Sequence, residues 1–141
     1  MAKRYRDLIV WQKAMLLTEA SYSVANALPV IERFGLSAQL RRASVSIPSN
    51  IAEGHERRSR AEYRRFISIA CGSLAELETQ LDLASRLHAV EKELTAHANG
   101  LADEVGRLLR SIERSLRNSK IIGEPSRSAL PPSALGPQPF E

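Results

Sequence analysis

Cysteine, aromatic residues and long apolar runs are all scarce in this chain, and each scarcity closes off a class of protein. A lone cysteine, Cys71, leaves no intramolecular disulfide framework and fits a reducing compartment. Aromatics make up 5% of the residues, too few for a β-sandwich, which also draws on Val and Thr. Gln12 and Lys13 interrupt the N-terminal apolar stretch, so neither a signal peptide nor a membrane span is expected. A cytoplasmic protein is the default. Glycine-rich phosphate loops are absent too.

What remains is Leu, Ala and Ile on a basic background. At 141 residues, one domain with a single core is expected. The apolar set favours helices, and a net charge of +4, carried far more by Arg than by Lys, permits contact with anions without demonstrating it.

Apolar residues recur at helical spacing through most of the chain. A first helix is predicted from about Asp7, as N-cap, to Leu28, with Leu8, Trp11, Met15, Thr18, Tyr22 and Ala25 on its inner face. Pro29 and Gly35 bound a connection whose Ile31 and Phe34 are expected to tuck back onto the bundle. A second helix starts near Leu36, with Leu36, Leu40, Ala43, Ile47, Ile51 and Gly54 as its core stripe. Another arc, Ser44, Val45, Pro48 and Ala52, is small or apolar, so this helix is covered on two sides. Pro48 has no N–H for the Ser44 carbonyl, which predicts a bend.

Ser59-Arg60-Ala61-Glu62 matches a capping box and opens a third helix. Its stripe is Tyr63, Phe66, Ile67, Ala70, Leu74, Leu77, Leu81 and Ala84, and Gly72 suggests a close backbone approach. A fourth helix spans about Val90 to Asn118 on Leu94, Ala98, Leu101, Val105, Leu108, Ile112 and Leu116. Short connections favour antiparallel neighbours, so the fold class is all-α, an up-down-up-down four-helix bundle over residues 7–118. Residues 1–6 form a short arm. Residues 119–141 hold five of the seven prolines and are expected to be an extended or disordered tail that orders only on a partner.

Three stretches, RDLIVWQKA, FGLSAQLRRASVSIPSNIAEG and RFISIACGSLAELETQL, strongly resemble one bacterial family. It is the four-helix-bundle family encoded within intervening sequences of 23S ribosomal RNA genes, and the resemblance covers roughly residues 5 to 118. It implies a small helical homopentamer without an established biochemical role. A more distant resemblance in fold is to the accessory protein of diversity-generating retroelements, a basic pentameric bundle that binds a reverse transcriptase and nucleic acid. After AEG, where relatives often carry an aromatic or glycine-rich turn, this chain has His55-Glu56-Arg57-Arg58.

The residues offer two candidate surfaces. Arg57, Arg58, Arg60, Arg64 and Arg65 surround the turn between helices two and three, where guanidinium groups would suit RNA or DNA phosphates. The plainer alternative pairs them with Glu53, Glu56 and Glu62 on a solvated turn. Ser44, Val45, Pro48 and Ala52 offer a subunit interface, or else face a third helix inside the monomer. Arg107, Arg110, Arg114 and Arg117 line one face of helix four, as on any amphipathic surface helix, with Asp103 placed to pair with Arg107.

Chemistry has less to work with. His55, His88 and His97 lie far apart, and Glu93–His97 lacks the second Glu/His pair of a di-iron bundle. Cys71 has no basic neighbour in sequence to lower its pKa. Asn50 and Glu53 suit hydrogen bonding at a helix interface. No catalytic residue, metal site or cofactor is expected. Two functions follow: a homo-oligomeric structural or assembly protein, or a nucleic-acid-binding accessory acting with RNA or a reverse transcriptase.

Overall fold

A computed structural model describes residues 4–118. The chain makes a 3-10 turn at Tyr5–Asp7, then α1 (Ile9–Ala27), a second 3-10 turn at Val30–Glu32, α2 (Leu36–His55), α3 (Arg60–Leu87) and α4 (Lys92–Asn118). The tail over residues 119–141 lies outside the described residues. Each helix packs on two others in a closed ring, α1 on α2 and α4, α3 on α2 and α4, with α1 and α3 on the diagonal.

The contacts run antiparallel. Ser37 at the start of α2 donates to the Ala25 carbonyl at the end of α1, while Thr18 meets Ser44 at mid-helix. Ser46 meets Ser73 midway along α2 and α3, and Gly54 at the end of α2 abuts Phe66 near the start of α3. Arg60 at the head of α3 reaches the Leu116 carbonyl at the foot of α4. One end of the bundle therefore carries the α1–α2 and α3–α4 connections, and the other carries the α2–α3 turn with both chain ends of the bundle.

The core matches the expected stripes closely in α2 and α3. In α2, Leu36, Leu40, Ala43, Ile47, Ile51 and Gly54 are all buried, as are Phe66, Ile67, Ala70, Leu74, Leu77, Leu81 and Ala84 in α3. In α4, Ala98, Leu101 and Val105 are buried as expected, but Leu109 takes the core place expected of Leu108, and Leu94, Leu108, Ile112 and Leu116 pack only partly buried at its edge. Ser59 Oγ accepts from the Glu62 N–H at 3.2 Å, which is the predicted cap of α3.

In α1 the inward face differs from expectation. Val10, Ala14, Leu17, Ser21 and Val24 are buried, whereas Met15 and Tyr22 stay 39% and 38% exposed. Two apolar stripes lie side by side on this helix. The stripe with the smaller residues Ala14 and Ser21 turns inward because it admits close approach of neighbouring helices, leaving the bulkier one at the α1–α2 seam. Asp7 caps the first 3-10 turn by accepting from the Arg4 N–H, so it is not the cap of α1. Gly72 is exposed with open space where a side chain would be; the close approach is at Gly54 instead.

Pro48 sits inside a helix that continues through it. The Ser44 carbonyl that it cannot serve is met from outside: Thr18 Oγ1 of α1 lies 2.9 Å away. The orphan acceptor of one helix is thus satisfied by its neighbour.

Candidate functional site

The five arginines at the α2–α3 turn fall into different local roles. Arg57 pairs with Glu53 at 3.2 Å and Arg65 with Glu62 at 3.2 Å. Both guanidinium groups lie against the Phe66 ring, at 5.1 and 4.9 Å from its centroid. Arg60 donates to the Leu116 and Ser115 carbonyls at 2.9 and 3.1 Å, so it caps the last turn of α4. Arg64 is half-buried. Arg58 is exposed and makes no ion pair among the described residues. The plainer alternative therefore accounts for Arg57 and Arg65, while Arg60 has a role that spacing did not suggest.

Arg60 also joins two groups that lie far apart in sequence. By holding the foot of α4, it brings Arg114 and Arg117 to the same end as Arg57, Arg58, Arg64 and Arg65. Arg4 and Arg6 at the head of α1 add to it. Glu53, Glu56, Glu62 and Glu113 lower the net charge without reversing it. The predicted pairing of Asp103 with Arg107 is not formed. Asp103 lies instead near Glu78, whose carboxyl is pushed up by burial first and then by that neighbouring charge.

Of the four residues read as a second α2 arc, Ser44 is fully buried within the protomer, its hydroxyl donating to the Arg41 carbonyl. Pro48 is buried too. Val45 and Ala52 face outward, and with Pro48 they line a groove of about 350 Å³ between α1 and α2. Tyr5, Trp11, Met15 and Thr18 form its other wall. Tyr5 and Trp11 meet edge to face at 5.4 Å between ring centroids.

The opposite end holds the largest departure from the sequence reading. Val30, Ile31 and Phe34 do not tuck in; they are 81%, 82% and 88% exposed. Leu87 at the same end is 62% exposed. Glu32 turns inward instead. Its Oε1 accepts from the Leu36 N–H at 3.1 Å and its Oε2 lies 2.7 Å from His88 Nε2. The His88 contact, then the Leu36 N–H, holds the Glu32 carboxyl below its ordinary value. Three apolar residues on a short connection bounded by Pro29 and Gly35 cannot all point inward once the glutamate between them does. The short span between these two punctuating residues was the available signal.

Groups suited to catalysis stay dispersed. His55 stacks edge to face on Tyr63 at 5.6 Å, His88 serves Glu32 and His97 is exposed. No metal-binding group of three His, Cys, Asp or Glu side chains occurs among the described residues. Burial and the adjacent Glu113 carboxylate push the Cys71 thiol up to about 12, opposite to what a nucleophile needs. Asn50 donates to the Ser46 carbonyl at 2.7 Å, and Ser46 meets Ser73 at 2.8 Å, a hydrogen-bonded seam between α2 and α3. No helix among the described residues is long and apolar enough to cross a membrane.

Known proteins place this architecture. No curated protein matches the chain. A solved structure from Bacteroides thetaiotaomicron VPI-5482, a protein of unknown function from the S23 ribosomal protein family, is similar at 29% identity and a TM-score of 0.69. The similarity covers 75% of this chain and 99% of that one. The family model described as 23S rRNA-intervening sequence protein matches residues 6–111, which include the three stretches that carried the resemblance. The chain belongs to the 23S rRNA-intervening sequence protein family.

Proposed function

We propose that this protein is a non-enzymatic assembly module that works as a closed homo-oligomer. The observation that carries this reading is the apolar end. Val30, Ile31 and Phe34 stand more than four-fifths exposed on a short connection pinned by Glu32. Monomers seldom present such a cluster to water, and burying it against another copy removes the unfavourable exposure. Set against a different surface on the next copy, the knob gives the head-to-tail arrangement that closes into rings. Family membership supports five copies as the ring size.

Light scattering coupled to size-exclusion chromatography tests it. A pentamer of the 15.6 kDa chain runs at about 78 kDa, and Ile31→Ser with Phe34→Ser should return it to the monomer. A wild-type monomer at micromolar concentration overturns the reading.

A second reading, contact with nucleic-acid phosphates, is favoured by the gathering of two sequence-distant arginine groups at the other end. Such contact would be sequence-independent and salt-sensitive. Aromatics for base stacking are few there: Tyr63 packs against the core, and Tyr5 and Trp11 are engaged with each other and with the Arg6 guanidinium. In a mobility-shift titration with RNA and DNA, affinity should fall at least tenfold from about 50 to 200 mM salt. Arg57→Ala with Arg58→Ala should weaken it further. Equal, negligible retention of wild type and variant at low salt removes this reading.

A further inference from the structure

We infer that the α1–α2 groove is the docking site of the chain's own proline-rich tail, residues 119–141. The groove is mainly apolar, and its Tyr5–Trp11 pair forms an aromatic wall facing Val45, Pro48 and Ala52. It offers little to an occupant's backbone. The Thr18 hydroxyl is already committed to the Ala14 and Ser44 carbonyls at 3.0 and 2.9 Å. Trp11 Nε1 is a donor with no acceptor among the described residues.

An occupant with few N–H groups loses least on entering such a place. Proline has none, and a polyproline II segment makes no internal hydrogen bonds that binding would disrupt. Aromatic-lined grooves with a free indole donor suit this class of ligand. Within the tail, Leu130-Pro131-Pro132 and Pro137-Gln138-Pro139-Phe140 supply it.

The chain geometry permits the connection. The foot of α4, held by Arg60, lies at the bundle end that also carries Tyr5, Trp11 and Ala52. From there the tail crosses only α1, about 8–10 Å between axes. Residues 119–141 extended at about 3.1 Å each reach about 70 Å. The family match ends at residue 111, so residues 119–141 lie beyond the shared bundle.

The test places a photoreactive benzophenone side chain at Val45 in the full chain, a site 42% exposed. Irradiation should give a product that runs as a monomer on a denaturing gel, with the crosslink mapped to residues 119–141. Replacing Pro131, Pro132, Pro137 and Pro139 with serine should lower that yield at least fivefold. The same replacement should raise acrylamide quenching of Trp11, the chain's one tryptophan, about twofold. A crosslinked dimer, a crosslink to helical segments, or yield and quenching unchanged by the serine replacements would each overturn the inference. Circular dichroism of both variants checks that the helices are intact.

Discussion

The two ends of this bundle are built on opposite plans. At the arginine end, apolar and glycine residues make a tight joint inside, Gly54 against Phe66, and charged groups face the solvent. At the other end a half-buried glutamate and histidine meet, and Val30, Ile31 and Phe34 face out. The first plan makes a solvated surface with a capacity for anions. The second holds apolar residues in the open beside a Glu32–His88 pair, the exposure on which the proposed self-association rests. The difference teaches that one fold can hide its apolar side chains at one end and leave them in the open at the other.

The joint should give the largest effect. A side-chain carbon at Gly54 would lie 2.6 Å from Phe66 Cβ and 3.2 Å from Tyr63 Cδ1. Gly54→Val should therefore cost about 1–3 kcal/mol in denaturant unfolding, from overpacking. An unchanged midpoint would show that the arginine end is looser than described. Arg60→Ala comes next: it removes the donors to the Leu116 and Ser115 carbonyls and should cost about 1 kcal/mol. Amide hydrogen exchange should rise over the last turn of α4 while α1 keeps its protection.

The apolar end should answer in the reverse way. Ile31→Ser with Phe34→Ser leaves the core intact, so protomer stability should change by less than about 0.5 kcal/mol. Self-association should nonetheless be lost. If stability falls instead, these residues serve the fold, and the contrast between the ends fails.

The smallest effect is one of pH. The Glu32 carboxyl is held below its ordinary 4.5, so its contribution is full above that pH and fades as the pH falls through the folded value. Glu32→Gln should remove this part of the acid sensitivity in thermal melts across pH 3–6. A melt profile identical to wild type would dissociate the inward pair from the integrity of that end.

Much of the fold was legible because periodicity and burial coincide. The α2 and α3 stripes alternate apolar and polar residues cleanly, and Ser59 and Glu62 announce a helix start. The α1 face was misread because two apolar stripes one residue apart have equal periodicity. Which one turns inward depends on how closely Ala14 and Ser21 let the neighbours approach. The site was less legible. That Arg57 and Arg65 pair with Glu53 and Glu62 follows from sequence spacing, but that Arg60 caps α4 needs residues more than fifty positions apart to meet. The outward turn of Phe34 depends on Glu32 finding His88, another distant meeting.

The contact between Thr18 and the Ser44 carbonyl has a wider consequence. Four amphipathic helices of similar composition can slide past one another by a turn, about 5.4 Å, and still bury nearly the same apolar area. Hydrophobic burial alone leaves these alignments almost degenerate. Pro48 breaks the tie, because the carbonyl it abandons has one hydroxyl on α1 within reach. Sliding α1 by a turn strands that acceptor in the interior at about 1–3 kcal/mol. The residue that weakens α2 as an isolated helix thus selects a single alignment from many. Its contribution is to uniqueness, measured in the states it forbids.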